Sequence, residues 1–215
     1  DRDLTIPQSA SQTAPFAQGG LIIGITGGTG CGKTTLLNLI ASRGGLILDC
    51  DAIYHELLIS DKKMLSAIEN RFPGVVENGA LNRKKLGTIV FADENALLEL
   101  NRITHAAVKQ EVLRRLETAP KLAAIDAIGL FEGNLAELCD VTVAVTAPEE
   151  ERVKRLMLRD NISESYARSR IRAQHSEEWF RERCDHVLSN DGTLDAFATI
   201  CLAFLDTIGI MKENP

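Results

Sequence analysis

Leu21-Ile22-Ile23-Gly24-Ile25-Thr26 runs straight into Gly27-Gly28-Thr29-Gly30-Cys31-Gly32-Lys33-Thr34-Thr35, and that junction decides the fold. Six residues rich in isoleucine are what a parallel strand buried on both faces requires. The next eight satisfy G-x-x-x-x-G-K-[ST] at every fixed position. Glycines let the backbone turn inward so that N–H groups point at phosphate oxygens, and the helix that follows adds its N-terminal partial positive charge. Lys33 can reach the β- and γ-phosphates, while the Thr34 hydroxyl can complete the shell of a Mg²⁺ ion. Gly28, Thr29, Gly30, Cys31, Gly32, Lys33 and Thr34 are therefore the candidate residues for binding a nucleotide triphosphate. Cys31, a thiol at a helix start, is expected to have a lowered pKa, to react readily and to be shielded by the bound nucleotide.

Outward from this loop, Lys33–Ser42 carries Leu36, Leu37, Leu39 and Ile40 on one helical stripe, and Gly44-Gly45 stops it. Leu46–Leu48 begins a second strand that ends in Asp49-Cys50-Asp51, with a helix over about 52–60. Residues 61–118 read as mostly helical, broken at Pro73-Gly74 and Asn78-Gly79, and are too long for a simple crossover. They are expected to form a helical insertion. Strand character returns at Leu122–Ala127 and Val141–Thr146. Thr146-Ala147-Pro148-Glu149 reads as a capping box that opens a helix to about Arg159. A charged helical stretch to about 183, a short strand at His186–Ser189 and a helix over Thr193–Ile208 ending at Gly209 complete the pattern. Alternating strands and helices predict an α/β fold with a parallel sheet covered on both faces. One domain is expected over 21–209, with a disordered extension or added remnant over 1–20 and a tail at 210–215.

The composition narrows the function classes. The 215 residues carry a net charge of −6, 45% hydrophobic and 25% charged residues, as in an ordinary globular protein. A net acidic chain argues against a general nucleic-acid binder. No apolar run approaches the roughly 20 residues of a membrane helix. Five cysteines, without a C-x-x-C pair, suit reduced thiols in a cytoplasmic protein rather than zinc or a disulfide framework.

The acceptor is the next question. A GTPase would want D-x-x-G, which Asp126-Ala127-Ile128-Gly129 supplies, and also N-K-x-D, which is absent from the sequence. Asp126 is thus better read as a partner in the outer shell of magnesium. A small-molecule kinase needs a carboxylate for the acceptor hydroxyl, arginines for transition-state charge and a lid against water. Asp51 lies just past the second strand, on the edge where such sheets bind ligands. It could also serve as a helix N-cap, and Asp49 competes with it for the base. Nine basic residues stand between Arg152 and Arg183, and nine acids between Glu149 and Asp185, so most are expected to be solvated partners. Arg159, closing its helix before Asp160-Asn161, is best placed to swing in with a lid over 149–183.

ITGGTGCGKTT, LDCDAI, LNRKKLGTIVF, LNRITHAAV, GLFE, RLMLRDNISE, RIRAQ and HVLSNDG, in this order, resemble dephospho-CoA kinase over about residues 21–205. The resemblance implies a P-loop kinase core with five parallel strands, a helical CoA-substrate subdomain over 61–118 and a lid. It implies transfer of the γ-phosphoryl of ATP to the ribose 3′-hydroxyl of dephospho-CoA, the last step of coenzyme A biosynthesis. Gly30 to Thr35 (Gly30, Cys31, Gly32, Lys33, Thr34 and Thr35) would hold the ATP phosphates, Asp51 would be the base, Lys33 and Arg159 catalytic, and Arg83 and His105 substrate-binding. The chain departs from the family at Cys31, usually Ser, at His55, commonly Arg, and at Ala106, usually Pro. Ile128-Gly129-Leu130 replaces Pro-Leu-Leu, with Glu132 retained. Another small-metabolite kinase of the nucleoside or shikimate type, or a P-loop regulatory NTPase, is the alternative.

Overall fold

In the computed structural model residues 20–210 are described, so the expectations for 1–19 and 211–215 lie outside the described residues. β1 (Leu21–Thr26) is the middle strand of a five-stranded parallel sheet. It leads through the glycine loop to α1 (Thr34–Ser42), then to β2 (Leu46–Asp49) and α2 (Cys50–Ser60). The insertion holds α3 (Lys62–Arg71), β3 (Val76–Glu77), β4 (Ala80–Leu81), α4 (Arg83–Val90) and α5 (Glu94–Leu116). The chain returns to the sheet in β5 (Leu122–Asp126) and β6 (Val141–Thr146). It ends with α6 (Glu149–Asp160), α7 (Glu164–Arg172), α8 (Glu177–Arg183), β7 (His186–Ser189) and α9 (Leu194–Thr207).

The strand order is β2-β5-β1-β6-β7, so β1 lies beside β5 on one side and β6 on the other. Parallel strands with both faces covered alternate between two cores. Ile23 and Ile25 pack with Leu36 and Ile40 of α1 and Phe197, Cys201 and Phe204 of α9. Ile22, Ala123 and Ile125 face the opposite way, onto Ile53, Leu57 and the insertion. Ile22, Ile23 and Ile25 are fully buried, and truncating one to alanine would cost about 2–5 kcal/mol. Ile210, at the start of the expected tail, packs on the α1–α9 core, and its carbonyl accepts from Arg43 at 2.9 Å.

One expectation needs correction and two gain detail. The insertion is mostly helical and is broken where expected, and Asn78-Gly79 forms the turn of the β3–β4 hairpin, with positive φ at both residues. Strands of two residues are too short to show alternation in a sequence. The capping box does not form. Thr146 is the last residue of β6, and α6 starts after Pro148 with no side-chain cap. Glu149, Glu150 and Glu151 place their charges at its positive end instead. Finally, the charged stretch to 183 is two helices, capped by Ser163 and Ser176.

α5 positions the insertion. Asp93 caps it by accepting from Asn95 and Ala96. Its buried residues are Ala96, Leu100, Thr104, Val108, Val112 and Leu116, one every four positions. A repeat of four on a helix of 3.6 per turn winds slowly around the axis, and α5 contacts α2, α3 and α4. Asn101 and His105 sit one residue beyond Leu100 and Thr104, at the rim of that stripe.

Candidate active site

A cavity of about 670 Å³ opens at the C-terminal ends of β1, β2 and β5, where an open α/β sheet takes its ligands. One wall is the glycine loop from Gly28 to Thr34. Among the described residues, seven helices have their first N–H groups capped by a side chain; α6 does not, and neither does α1, which follows this loop. Its leading amides are therefore left for a ligand, with the helix dipole behind them.

The loop carbonyls are bonded elsewhere. Thr29 O accepts from Arg152 Nε at 2.9 Å, Gly30 O from Arg155 Nη1 at 3.0 Å and Cys31 O from Asn190 Nδ2 at 2.9 Å. Holding the oxygens this way turns the electron-rich side of these peptides away from an incoming anion. Gly32 is obligatory for the fit, since its φ is +90° and a Cβ would stand 2.4 Å from Asn190 Nδ2. The amides do not all face the cavity in succession, however. Thr29 N–H donates to Gln174 Oε1 at 2.9 Å, and Cys31 N–H makes a long 3.3 Å contact with Gly28 O.

Lys33 Nζ lies 3.5 Å from Gly27 O and 3.4 Å from Asp126 Oδ1, at the end of β5. Both side chains are nearly buried, yet the pair lacks hydrogen-bond geometry, and Asp126 Oδ1 has no hydrogen-bond partner among the described residues. Burial raises the Asp126 pKa, with the carboxylates of Asp49 and Asp51 adding to the effect and Lys33 opposing it. Cys31 contradicts its expected reactivity. It is 3% exposed, and burial pushes its thiol up by more than Arg152 and Lys33 pull it down.

The opposite wall comes from α2 and α5. Asp49 pairs with Asp126 across the sheet and caps α2, its Oδ1 accepting from the Asp51 and Ala52 amides at 3.0 and 3.1 Å. Capping thus belongs to Asp49. Asp51, in the first turn, keeps its carboxylate free, 86% exposed and on the cavity. His55 Nδ1–H donates to the Asp51 carbonyl at 2.7 Å, and the ring stands 3.8 Å from the Asp51 carboxylate. The side chains of Asn101 and His105 line the same wall with no hydrogen-bonded partner among the described residues, beside Tyr54, Leu100 and Val108.

Arg159 reaches the cavity, where it makes a two-pronged pair with Asp160 at 2.6 and 2.9 Å. Arg170 lines the cavity beside it and donates to Asp160 at 2.6 Å. Hydrogen bonds from these two arginines hold the Asp160 carboxyl well below the usual range. Much of the remaining basic stretch is spent on acids, as expected: Arg168 on Glu149, Glu150 and Glu164, Arg181 on Glu177 and Lys154 on Glu151.

The structure thus brings Gly28–Thr34, Asp51, His105 and Arg159 to one cavity and leaves two predicted residues off its lining. Thr35 is half-buried just beyond it. Arg83 is exposed at the start of α4, near enough to Tyr54 for its charge to oppose the burial that raises the Tyr54 pKa. Sequence reasoning did not assign Arg170, Arg152, Arg155, Gln174 or Asn190 to the site. The i,i+4 spacing of Arg170 and Gln174 in RIRAQ was the available signal.

A family model described as dephospho-CoA kinase matches residues 21–196. A dephospho-CoA kinase of Syntrophotalea carbinolica is 35% identical over 81% of this chain and 86% of its own length. One from Bacillus thuringiensis is 35% identical, covering 86% of this chain and 96% of that relative. The crystal structure of TT1252 from Thermus thermophilus is 33% identical, with a TM-score of 0.75 over 89% of this chain and 99% of its own. At 18% identity and a TM-score of 0.53, a shikimate kinase from Acinetobacter baumannii shares the fold over 88% of this chain and 93% of its own.

Proposed function

Because the chain belongs to the dephospho-CoA kinase family, ATP-dependent kinases that pass phosphate to a hydroxyl group, we propose that its two cavity walls divide that reaction between them. Its reaction is transfer of the γ-phosphoryl of ATP to the 3′-hydroxyl of dephospho-CoA. The observation that carries the assignment of roles is the juxtaposition of a bracketed phosphate loop and a free Asp51 carboxylate on one cavity.

The loop amides and Lys33 hold the triphosphate, and Lys33 draws charge from the β,γ-oxygens as the bond to the leaving group lengthens. Asp51 orients the acceptor hydroxyl for in-line attack and takes its proton. Arg159 and Arg170 exchange Asp160 for phosphoryl oxygens as α6 and α7 close, and so exclude water. His105, Asn101 and Tyr54 receive the acceptor, and Arg83, off the cavity lining but close enough to Tyr54 for its charge to be felt, meets the outer part of it. The Thr34 hydroxyl and Asp126, whose buried Oδ1 lacks a hydrogen bond, suit a hard cation with oxygen ligands and would hold Mg²⁺. When bound, that ion supplies positive charge to the phosphate oxygens.

No helix among the described residues is long and apolar enough to cross a membrane. The five free thiols suit the reducing cytoplasm, where ATP is also available.

The test is ATP consumption with dephospho-CoA, with shikimate, with a nucleoside, or with no acceptor. ADP and CoA should form together only in the first case. Equal ATP hydrolysis without an acceptor would favour a regulatory ATPase, and phosphorylation of shikimate or the nucleoside a different metabolite kinase.

A further inference from the structure

Thr29 is the loop residue whose two backbone groups are both taken by distant side chains. Its carbonyl accepts from Arg152 Nε at 2.9 Å and its N–H donates to Gln174 Oε1 at 2.9 Å. Arg152 Nη2 donates to that same glutamine oxygen at 2.8 Å. Three residues therefore close a hydrogen-bonded ring that takes both backbone groups of one residue, in two successive peptide units. The guanidinium lies against Gly28, where a Cβ would stand 2.1 Å from Arg152 Nη2. None of the phosphate-holding roles assigned above uses this ring.

Its two outer members sit on the elements that carry the cavity arginines. Arg152 is in the first half of α6, and Arg159 lies two turns further along it, about 10 Å by helix rise. Gln174 follows α7, one turn after Arg170. α6 and α7 share a small core of their own, made by Val153, Leu156, Ala167 and Ile171. A pair of helices with a private core is a rigid unit, and the ring is bonded to its base. We propose that the Thr29–Arg152–Gln174 ring is a positioning device that registers α6–α7, and with it Arg159 and Arg170, against the phosphate loop. Phosphate filling the loop then sets the backbone on both sides of Thr29, and the arginines are placed by reference to it. The inference rests on the reading of this loop as the triphosphate site.

Gln174→Leu removes the shared acceptor, and Gln174→Glu keeps an oxygen for both donors. The leucine variant should lose about tenfold or more in kcat, because misplaced charge-stabilising groups are costly at that step. Its KM for dephospho-CoA should stay within about twofold, since uniform binding of the acceptor is untouched. Glutamate should restore kcat to within about threefold, and Gln174→Leu combined with Arg170→Ala should lose far less than the product of the two. Multiplying losses, or glutamate no better than leucine, would overturn the proposal.

Should the leucine variant fold poorly, hydrogen exchange on the unaltered protein decides the matter. MgADP should slow amide exchange in α6 and α7 together with the loop, and slowing confined to the loop would overturn the ring's role. That readout needs no acceptor, so it stands apart from any failure of dephospho-CoA to be phosphorylated.

Discussion

The two walls of the cavity are built in opposite ways. On the phosphate side, Thr29, Gly30 and Cys31 each have a carbonyl bonded to a side chain from elsewhere in the chain, and Lys33 lies against Gly27 O and Asp126. On the acceptor side, Asp51, Asn101 and His105 present polar groups to the cavity with few or no fixed side-chain partners. The difference fits the proposed division of the reaction between the two walls. A triphosphate presents the same oxygens every time, so its cradle gains from being fixed in advance. An acceptor hydroxyl must be met by a group that is still free to take a proton.

Substitutions can break this contrast in graded steps. Asp51→Asn should have the largest effect, lowering kcat on the order of 10³-fold with ATP affinity nearly intact. Steady-state kinetics beside an ATP-binding titration checks it, and near-normal turnover would remove Asp51 as the base. Arg170→Ala should lower kcat on the order of 10²-fold, since it deletes a donor aimed at developing charge. A loss seen only in the KM for dephospho-CoA would move Arg170 to the acceptor wall. His105→Ala should raise the KM for dephospho-CoA about tenfold and leave that for ATP unchanged, as loss of a ground-state contact does. The opposite pattern would assign His105 to the phosphate side.

Cys31→Ser should do least, changing kcat/KM by less than about threefold, because the thiol is buried and protonated rather than reactive. Rapid labelling of Cys31 at neutral pH, measured by mass spectrometry, would contradict that and reopen the loop's rigid side.

The same contrast explains what could be read from the sequence. The phosphate loop is local: one strand, eight consecutive residues and one helix, each with its own pattern. The proposed base is nearly as local, but weighing Asp49 against Asp51 required knowing which carboxylate turns back onto the amides of α2. Cys31 misled because its place at a helix start was visible while its burial in the core with Ile25, Leu36 and Leu188 was not. The bracket around the loop was invisible for a simpler reason. Arg152, Gln174 and Asn190 stand more than 120 residues from the groups they hold, and no periodicity links them.

The winding apolar stripe of α5 has a consequence for engineering. Its residues join Leu86, Val90 and Met64 of the insertion to Ile22, Ala123 and Ile125 of the sheet in a single continuous interior, whereas α6 and α7 close on an interior of their own. A transplant of α6–α7 between relatives would swap a part with its own apolar interior, provided Arg152, Arg155 and Gln174 travel with it to meet the loop. Excising the α3–α5 segment would open the sheet to water, so altering acceptor preference calls for changes to side chains at the rim, with the scaffold left in place.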